Sequence, residues 1–300
     1  MNQIRSRKNL PHTRSYRVIV GDYSFRVLEL ETSQGDTGCA QTSQRPPLVF
    51  LHGFMGSSDD WVEMMEQLSD RHHCIAIDLP GHGQTQGLNR AAHFEHPAFE
   101  MAPTAEALVG VLDQLDIHTC DLLGYSMGGR LALYLALHYP HRIRRLVLES
   151  ASPGLATEPE RKARQQQDEH LAQQLEAENF EDFLERWYSQ PLFSNLRYHP
   201  NFKHLLQRRL RNQPQLLARS LRQMGTGQQP SLWNAIQHHT CPTLLLVGET
   251  DTKFRAIATH MSDRCDAITS VVVPACGHTI HTEQPHQFTL QVSKFLSAEP

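Results

Sequence analysis

The sequence has no run approaching the roughly 18 consecutive apolar residues that a membrane-spanning helix needs, which excludes a helical integral-membrane protein. It has little net charge, −4 from 28 Lys and Arg against 32 Asp and Glu, so nothing global points to nucleic acid or an acidic membrane surface. Cysteine is scarce. The six residues Cys39, Cys74, Cys120, Cys241, Cys265 and Cys276 form no C-x-x-C pair, and Cys74, Cys120 and Cys241 each open an apolar run. They read as free thiols in a reducing cytoplasm. No pair of His or Cys has ligand spacing, so no metal is expected, and no cofactor motif stands out. Residues 1–15 are polar and basic without an apolar segment, which reads as an N-terminal tail rather than a secretion signal.

What is present is a 300-residue chain, 39% hydrophobic, long enough for one large core with an inserted subdomain. Residues 16–20 and 25–30, separated by Gly21-Asp22, predict a hairpin. Short apolar runs follow at 48–51, 74–77, 120–123, 146–148, 243–247 and 269–273. Such runs suit parallel strands covered on both faces. Helical patterns alternate with them at 61–68, 104–115, 127–139 and 254–261, and 285–296 reads as a last helix. This order predicts a doubly wound α/β sheet. From 156 to 233 the alternation stops. That stretch has no strand-like run, four helix-prone segments (158–178, 180–188, 202–210, 215–224) and breakers between them, so it predicts a helical cap between core pieces 16–155 and 234–300.

Gly124-Tyr125-Ser126-Met127-Gly128 reads G-x-S-x-G between a predicted strand and a predicted helix. A tight strand-to-helix turn lifts a serine hydroxyl clear of its backbone, and the flanking glycines give the strained turn room. A serine so placed needs a base. Among 19 histidines, His278 follows the 269–273 strand in Cys276-Gly277-His278; His281 is its neighbouring competitor. Asp251, just past the 243–247 strand, can orient the histidine; Glu249 competes. All three positions fall at carboxyl ends of predicted strands, where open α/β sheets place their sites. Residues 48–51 run into His52-Gly53-Phe54-Met55-Gly56, so the N–H groups of Phe54 and Met127 are the candidate oxyanion-hole donors. His82, in Asp78-Leu79-Pro80-Gly81-His82-Gly83, reads as structural.

Together LHGFMGSSDDW, DLPGHG, GYSMGGR, GETD and CGH resemble the α/β-hydrolase superfamily from about residue 16 onward. GYSMGGR, LESASPGL, RKARQQQDE, WYSQPLF, MGTGQQPSLW and GETDTKFR narrow the resemblance to the 2-succinyl-6-hydroxy-2,4-cyclohexadiene-1-carboxylate synthase (MenH) family of menaquinone and phylloquinone biosynthesis. The longer N-terminal region and an insertion at 88–100 depart from the family pattern without touching the motifs.

The resemblance implies an α/β-hydrolase fold and a cofactor-independent lyase that eliminates pyruvate from a small substrate bearing three carboxylates. It implies that Ser126, activated by His278 and Asp251, acts as a base. Cationic partners are then required. Arg130, four residues after Ser126, is one turn into the elbow helix and can face the pocket. Residues 196–233 carry Arg197, Lys203, Arg208, Arg209, Arg211, Arg219 and Arg222 with no Asp or Glu, most of them readable as a solvated helix face. By register with the family's cap, Arg164 and Arg209 are the expected pocket residues, with Arg208 and Arg211 as near misses, and Tyr125 and Trp187 as aromatic pocket candidates; Trp187 reads equally as cap core. The motifs alone leave open a serine esterase, thioesterase or C–C hydrolase, and a non-catalytic binding protein on the same fold.

Overall fold

The computed structural model describes residues 13–31, 45–88 and 98–298. Cys39, residues 1–12 of the expected tail and most of the 88–100 insertion lie outside them. In chain order the elements are β1 (Arg14–Val20), β2 (Tyr23–Leu30), β3 (Leu48–Leu51), α1 (Val62–Leu68), β4 (Cys74–Ile77), β5 (Gln86–Gly87), α2 (Met101–Gln114), β6 (Cys120–Tyr125), α3 (Met127–His138) and β7 (Ile143–Glu149). Then come α4 (Glu158–Ala177), α5 (Phe180–Tyr188), α6 (Ser194–Arg197), α7 (Phe202–Arg209), α8 (Pro214–Met224), β8 (Thr243–Gly248), α9 (Thr252–Ser262), β9 (Ile268–Val273), α10 (Ile280–Glu283) and α11 (Pro285–Ser297).

All strands join one sheet in the order β1-β2-β4-β3-β6-β7-β8-β9, with the two-residue β5 beside β2. β1 and β2 form the antiparallel hairpin, β2 pairs antiparallel with β4, and from β4 to β9 every pairing is parallel. This is the α/β-hydrolase fold. The apolar runs become strands because β3, β4, β6 and β8 are buried along their whole length. β9 departs from that expectation. It is the edge strand, and Val272 is 47% exposed.

Two cores flank the sheet. One packs α2, α3 and α9 through residues such as Leu108, Leu131 and Met261; the other packs α1 and α11 through Trp61, Met65 and Phe288. Between β7 and β8 the chain makes only helices among the described residues. α4 starts at a capping box, in which the Glu160 N–H donates to the Thr157 hydroxyl and the Thr157 N–H donates to the Glu160 carboxylate. The Asn179 side chain caps α5, and Pro214 opens α8. These helices share a third core, with Phe183, Leu205 and Leu217 buried around Met55 from the loop after β3. Helix α4 is long and polar, and only Asp168, Ala172 and Leu175 are buried along it.

Candidate active site

Ser126 is the hinge between β6 and α3, with φ 49° and ψ −106°, a conformation that costs a non-glycine residue energy. The turn is held from both sides. Its N–H donates to the Glu149 carbonyl (2.9 Å), and its carbonyl accepts from the Arg130 N–H (2.9 Å). The glycines at the motif are there for space: a Cβ at Gly124 would stand 2.5 Å from the Gly128 carbonyl oxygen, and one at Gly128 would stand 2.4 Å from that of Leu51.

The Ser126 hydroxyl donates to His278 Nε2 (3.1 Å), and His278 Nδ1–H donates to Asp251 Oδ2 (2.7 Å). His278 and Asp251 are both buried. Asp251 also caps α9, its Oδ1 accepting from the Phe254 N–H (3.3 Å), so one carboxylate fixes both the helix and the imidazole. The loop carrying His278 has a clamp that the sequence reading missed. The Glu283 carboxylate accepts from the Gly277 N–H (2.6 Å) and the Thr279 N–H (3.1 Å), gripping the backbone on both sides of the histidine. Burial raises the Glu283 pKa, while these two N–H bonds hold it down.

Both competitors have other employment. His281 Nδ1–H donates to Glu149 Oε2 (2.7 Å), its ring lies against Trp61 (4.6 Å between centroids), and it is buried. Glu249 accepts from the Ala275 N–H (3.0 Å) and ties down the loop after β9.

The loop after β3 turns at Met55, whose φ is 62°, and closes with a Gly56 N–H to Gly53 carbonyl bond (2.9 Å). Phe54 and Met127 both line the cavity over Ser126. Among the loop and turn backbone hydrogen bonds of the described residues, none uses the N–H of either. His52 braces this loop: its Nδ1–H donates to the Gly53 carbonyl (2.8 Å), and its Nε2 accepts from the Leu79 N–H (2.9 Å). Burial lowers the His52 pKa, which suits the neutral ring that this pairing requires. His82 packs edge-on to Phe54 (5.6 Å) and donates through Nδ1 to the Pro80 carbonyl. Burial depresses its pKa to about 3, and it lies outside the lining of the cavity.

The cavity holds about 370 Å³ and is walled by the elbow, α4, α5, α7, α8 and α9. No Asp or Glu lines it among the described residues, whereas Arg130, Arg164, Arg209 and Lys253 do. The arginines differ in how they are neutralised. Arg209 Nη1 lies 2.8 Å from Asp60 Oδ2, and its Nε donates to the Tyr188 hydroxyl (3.1 Å). Arg164 pairs with Asp168 one turn on (2.7 Å). Among the described residues Arg130 meets neutral acceptors, donating to Gln229 Oε1 (3.0 Å) and the Met224 carbonyl (3.0 Å). Burial pulls its pKa down to about 10, with the Arg164 charge acting the same way, so it remains a cation at neutral pH.

The near misses fall elsewhere. Arg208 also bonds Asp60 (2.9 Å) without lining the cavity; Arg211 does not line it either. Arg222 is bound by Glu169 and Glu176 across α4 and α8, and Arg219 lies over the Phe99 ring.

Tyr125 lines the cavity with its hydroxyl 3.0 Å from Thr279 Oγ1 and its ring 5.5 Å from that of His278. Trp187 is both wall and core: it lines the cavity while packing on Phe54, Phe183 and Phe193. Lys253, Gln229 and Tyr188 escaped the sequence reading. For Lys253 a signal existed, a cation two residues after Asp251 at the start of a helix. Gln229 falls within MGTGQQPSLW, but that segment gave it no role, because the role depends on where the loop after α8 returns.

Known proteins resemble this chain along most of its length. Residues 46–285 match the model of the alpha/beta hydrolase fold. A Bacillus subtilis protein named "Putative 2-succinyl-6-hydroxy-2,4-cyclohexadiene-1-carboxylate synthase" is 40% identical over 84% of this chain and 90% of its own length. The chloroplastic protein PHYLLO of Arabidopsis thaliana is 32% identical over 98% of this chain, which corresponds to 17% of that much longer protein. The solved structure of MenH from S. aureus superposes with a TM-score of 0.80 at 34% identity, covering 92% of this chain and 98% of that one. The chain is therefore a member of the 2-succinyl-6-hydroxy-2,4-cyclohexadiene-1-carboxylate synthase family within the α/β hydrolases.

Proposed function

We propose that the protein is a lyase that eliminates pyruvate from 2-succinyl-5-enolpyruvyl-6-hydroxy-3-cyclohexene-1-carboxylate in menaquinone or phylloquinone biosynthesis. The product is 2-succinyl-6-hydroxy-2,4-cyclohexadiene-1-carboxylate. The observation that carries this reading is a cationic, acid-free cavity over Ser126 in a chain 40% identical to a protein bearing the synthase name.

The chemistry follows from the two ring systems. The hydrogen at C2, beside the succinyl ketone, leaves as a proton. The C2–H electrons form C2=C3, the old C3=C4 pair moves to C4=C5, and the C5–O bond breaks. The departing enolate takes up a proton and is released as pyruvate. Ser126 Oγ, its own proton drawn to His278 Nε2, is the base, and Asp251 stabilises the imidazolium that forms. Charge gathers on the succinyl carbonyl oxygen during proton loss, and the N–H groups of Phe54 and Met127 receive it. No bond from Ser126 to carbon is needed. Arg130, Arg164 and Arg209 bind substrate carboxylates, while Tyr125 and Trp187 cover the ring and exclude water.

In this reading residues 156–233 are a cap domain that closes the cavity above a core made of 16–155 and 234–300. The enzyme works without a cofactor, and it works in the cytoplasm, consistent with five buried free thiols among the described residues. The test is pyruvate release from freshly prepared substrate, before and after dialysis against a chelator. Release at an enzymatic rate in both samples is expected. Absence of pyruvate, with an acyl burst from p-nitrophenyl esters instead, would overturn the reading in favour of acyl transfer.

A further inference from the structure

The charges around the cavity do not sum to a neutral wall. Arg164 and Arg209 each have a carboxylate within 2.8 Å, Asp168 and Asp60 respectively. Arg130 has amide and carbonyl partners and, among the described residues, no carboxylate at ion-pair distance. Lys253 completes the set. It stands in the first turn of α9, two residues beyond Asp251, and lines the cavity although much of the residue is exposed, which places it at the mouth. Its ammonium lies 5.5 Å from the centroid of the Phe254 ring. Among the described residues it has no carboxylate within ion-pair distance. Two of the four lining cations are therefore without a bound counter-charge.

The four are also unevenly placed. After burial, the Arg164 charge lowers the pKa of both Arg130 and Lys253, opposed by Asp168 and Asp251 respectively, whereas Arg209 answers to Asp60 and Tyr188. Arg130, Arg164 and Lys253 are thus within electrostatic reach of one another, and among the described residues Arg164 alone of the three has a carboxylate at ion-pair distance. Gathering like charges around one cavity costs energy that a bound anion would recover.

We infer that Lys253 is a substrate-binding residue that determines specificity for polyanions, holding one carboxylate at the mouth of the cavity beside the Arg130–Arg164 pair. That end then takes two of the substrate's three carboxylates, and Arg209 takes the third. A lysine suits the mouth: its flexible stem can meet a carboxylate as it enters and remain hydrated until then. The inference rests on the lyase reading for the identity of the polyanion, but not for the presence of an anion site.

The test separates the two. Binding of 2-succinylbenzoate, a stable aromatic dicarboxylate, is measured by calorimetry with Ser126→Ala and with the Ser126→Ala, Lys253→Met double variant. Loss of about tenfold in affinity is expected, as for one hydrogen-bonded charge pair, with recovery by Lys253→Arg. In turnover, Lys253→Met raises KM for the tricarboxylate about tenfold with kcat little changed, and the effect shrinks as salt is raised. The rate at which a neutral organophosphonate labels Ser126 stays the same. Equal affinity in both backgrounds together with an unchanged KM for the tricarboxylate, or an equal loss for the neutral reagent, overturns the inference. A wild-type protein that releases no pyruvate while the calorimetric difference persists would sink the lyase reading and leave the anion site standing.

Discussion

Asp60, on the turn that follows the loop after β3, and Arg209, on α7, form a buried ion pair in which one guanidinium nitrogen reaches both carboxylate oxygens, at 3.0 and 2.8 Å. The same carboxylate accepts from the Ser57 N–H (3.2 Å) and from Arg208 (2.9 Å). One side chain therefore joins the loop after β3 to a helix of the 156–233 segment. Removing it by Asp60→Ala leaves a buried guanidinium unpaired, which costs about 3–5 kcal/mol. A large fall in unfolding midpoint is expected in thermal scans, and an unchanged midpoint would deny the pair its structural role.

Acid should reveal the same pair. The arginines hold the Asp60 carboxyl down at about 2 against an ordinary 3.8, outweighing its burial. The folded pKa lies below the unfolded one, so the stabilisation is complete above the unfolded value and drains away as pH falls through the window towards about 2. Asp60→Asn cannot titrate. Its stability relative to wild type should be lowest near neutrality, with the gap narrowing below pH 4 in urea titrations; a constant gap would contradict this.

Ser126→Ala should lose at least about a hundredfold in pyruvate release, the usual scale for a general base, with its unfolding midpoint nearly unchanged. Since Ser126 bonds the rest of the site through one hydroxyl, only the reaction and the His278 ring are affected. Full activity in this variant would remove the serine from the chemistry.

His278→Gln and His281→Gln should part company. The first breaks the link from Ser126 to Asp251, and pyruvate release should fall with the serine variant. The second takes the imidazole away from Glu149 and leaves it the backbone N–H of residue 281, so stability should drop while the residual rate per folded molecule stays within a few-fold. Equal rate losses would mean that His281 also takes part in the reaction.

Arg130→Met should raise KM by about tenfold or more, because a buried cation facing a carboxylate is worth more than an exposed one, and should leave kcat closer to wild type. Lys253 and Arg130 are sequentially remote but electrostatically linked through Arg164, so their double variant should lose less than the two losses added together. Strict additivity in binding would separate the two sites.

The lessons about legibility lie in particular residues. The elbow could be read from sequence because its chemistry is local: Gly124, Ser126 and Gly128 are needed wherever a strand must turn into a helix within one residue. The sheet could be read because strands buried on both faces show as short apolar runs, and the run of helices between β7 and β8 because no such run interrupts it. The short α6, α10 and β5 left no pattern, being too brief for a period to show.

The sequence by itself determined the fold class and which serine, histidine and carboxylate types stand at strand ends, since these depend on spacing along the chain. Only the tertiary structure decided between His278 and His281, three residues apart, by setting one against Ser126 and the other against Glu149. Only it distinguished the arginines. All are equally charged in sequence, yet Arg222 is paired with two glutamates, Arg209 with Asp60, and Arg130 with no carboxylate among the described residues. The strength of a charge in a cavity depends on the partners that folding brings to it from distant segments, and those partners cannot be counted along a chain.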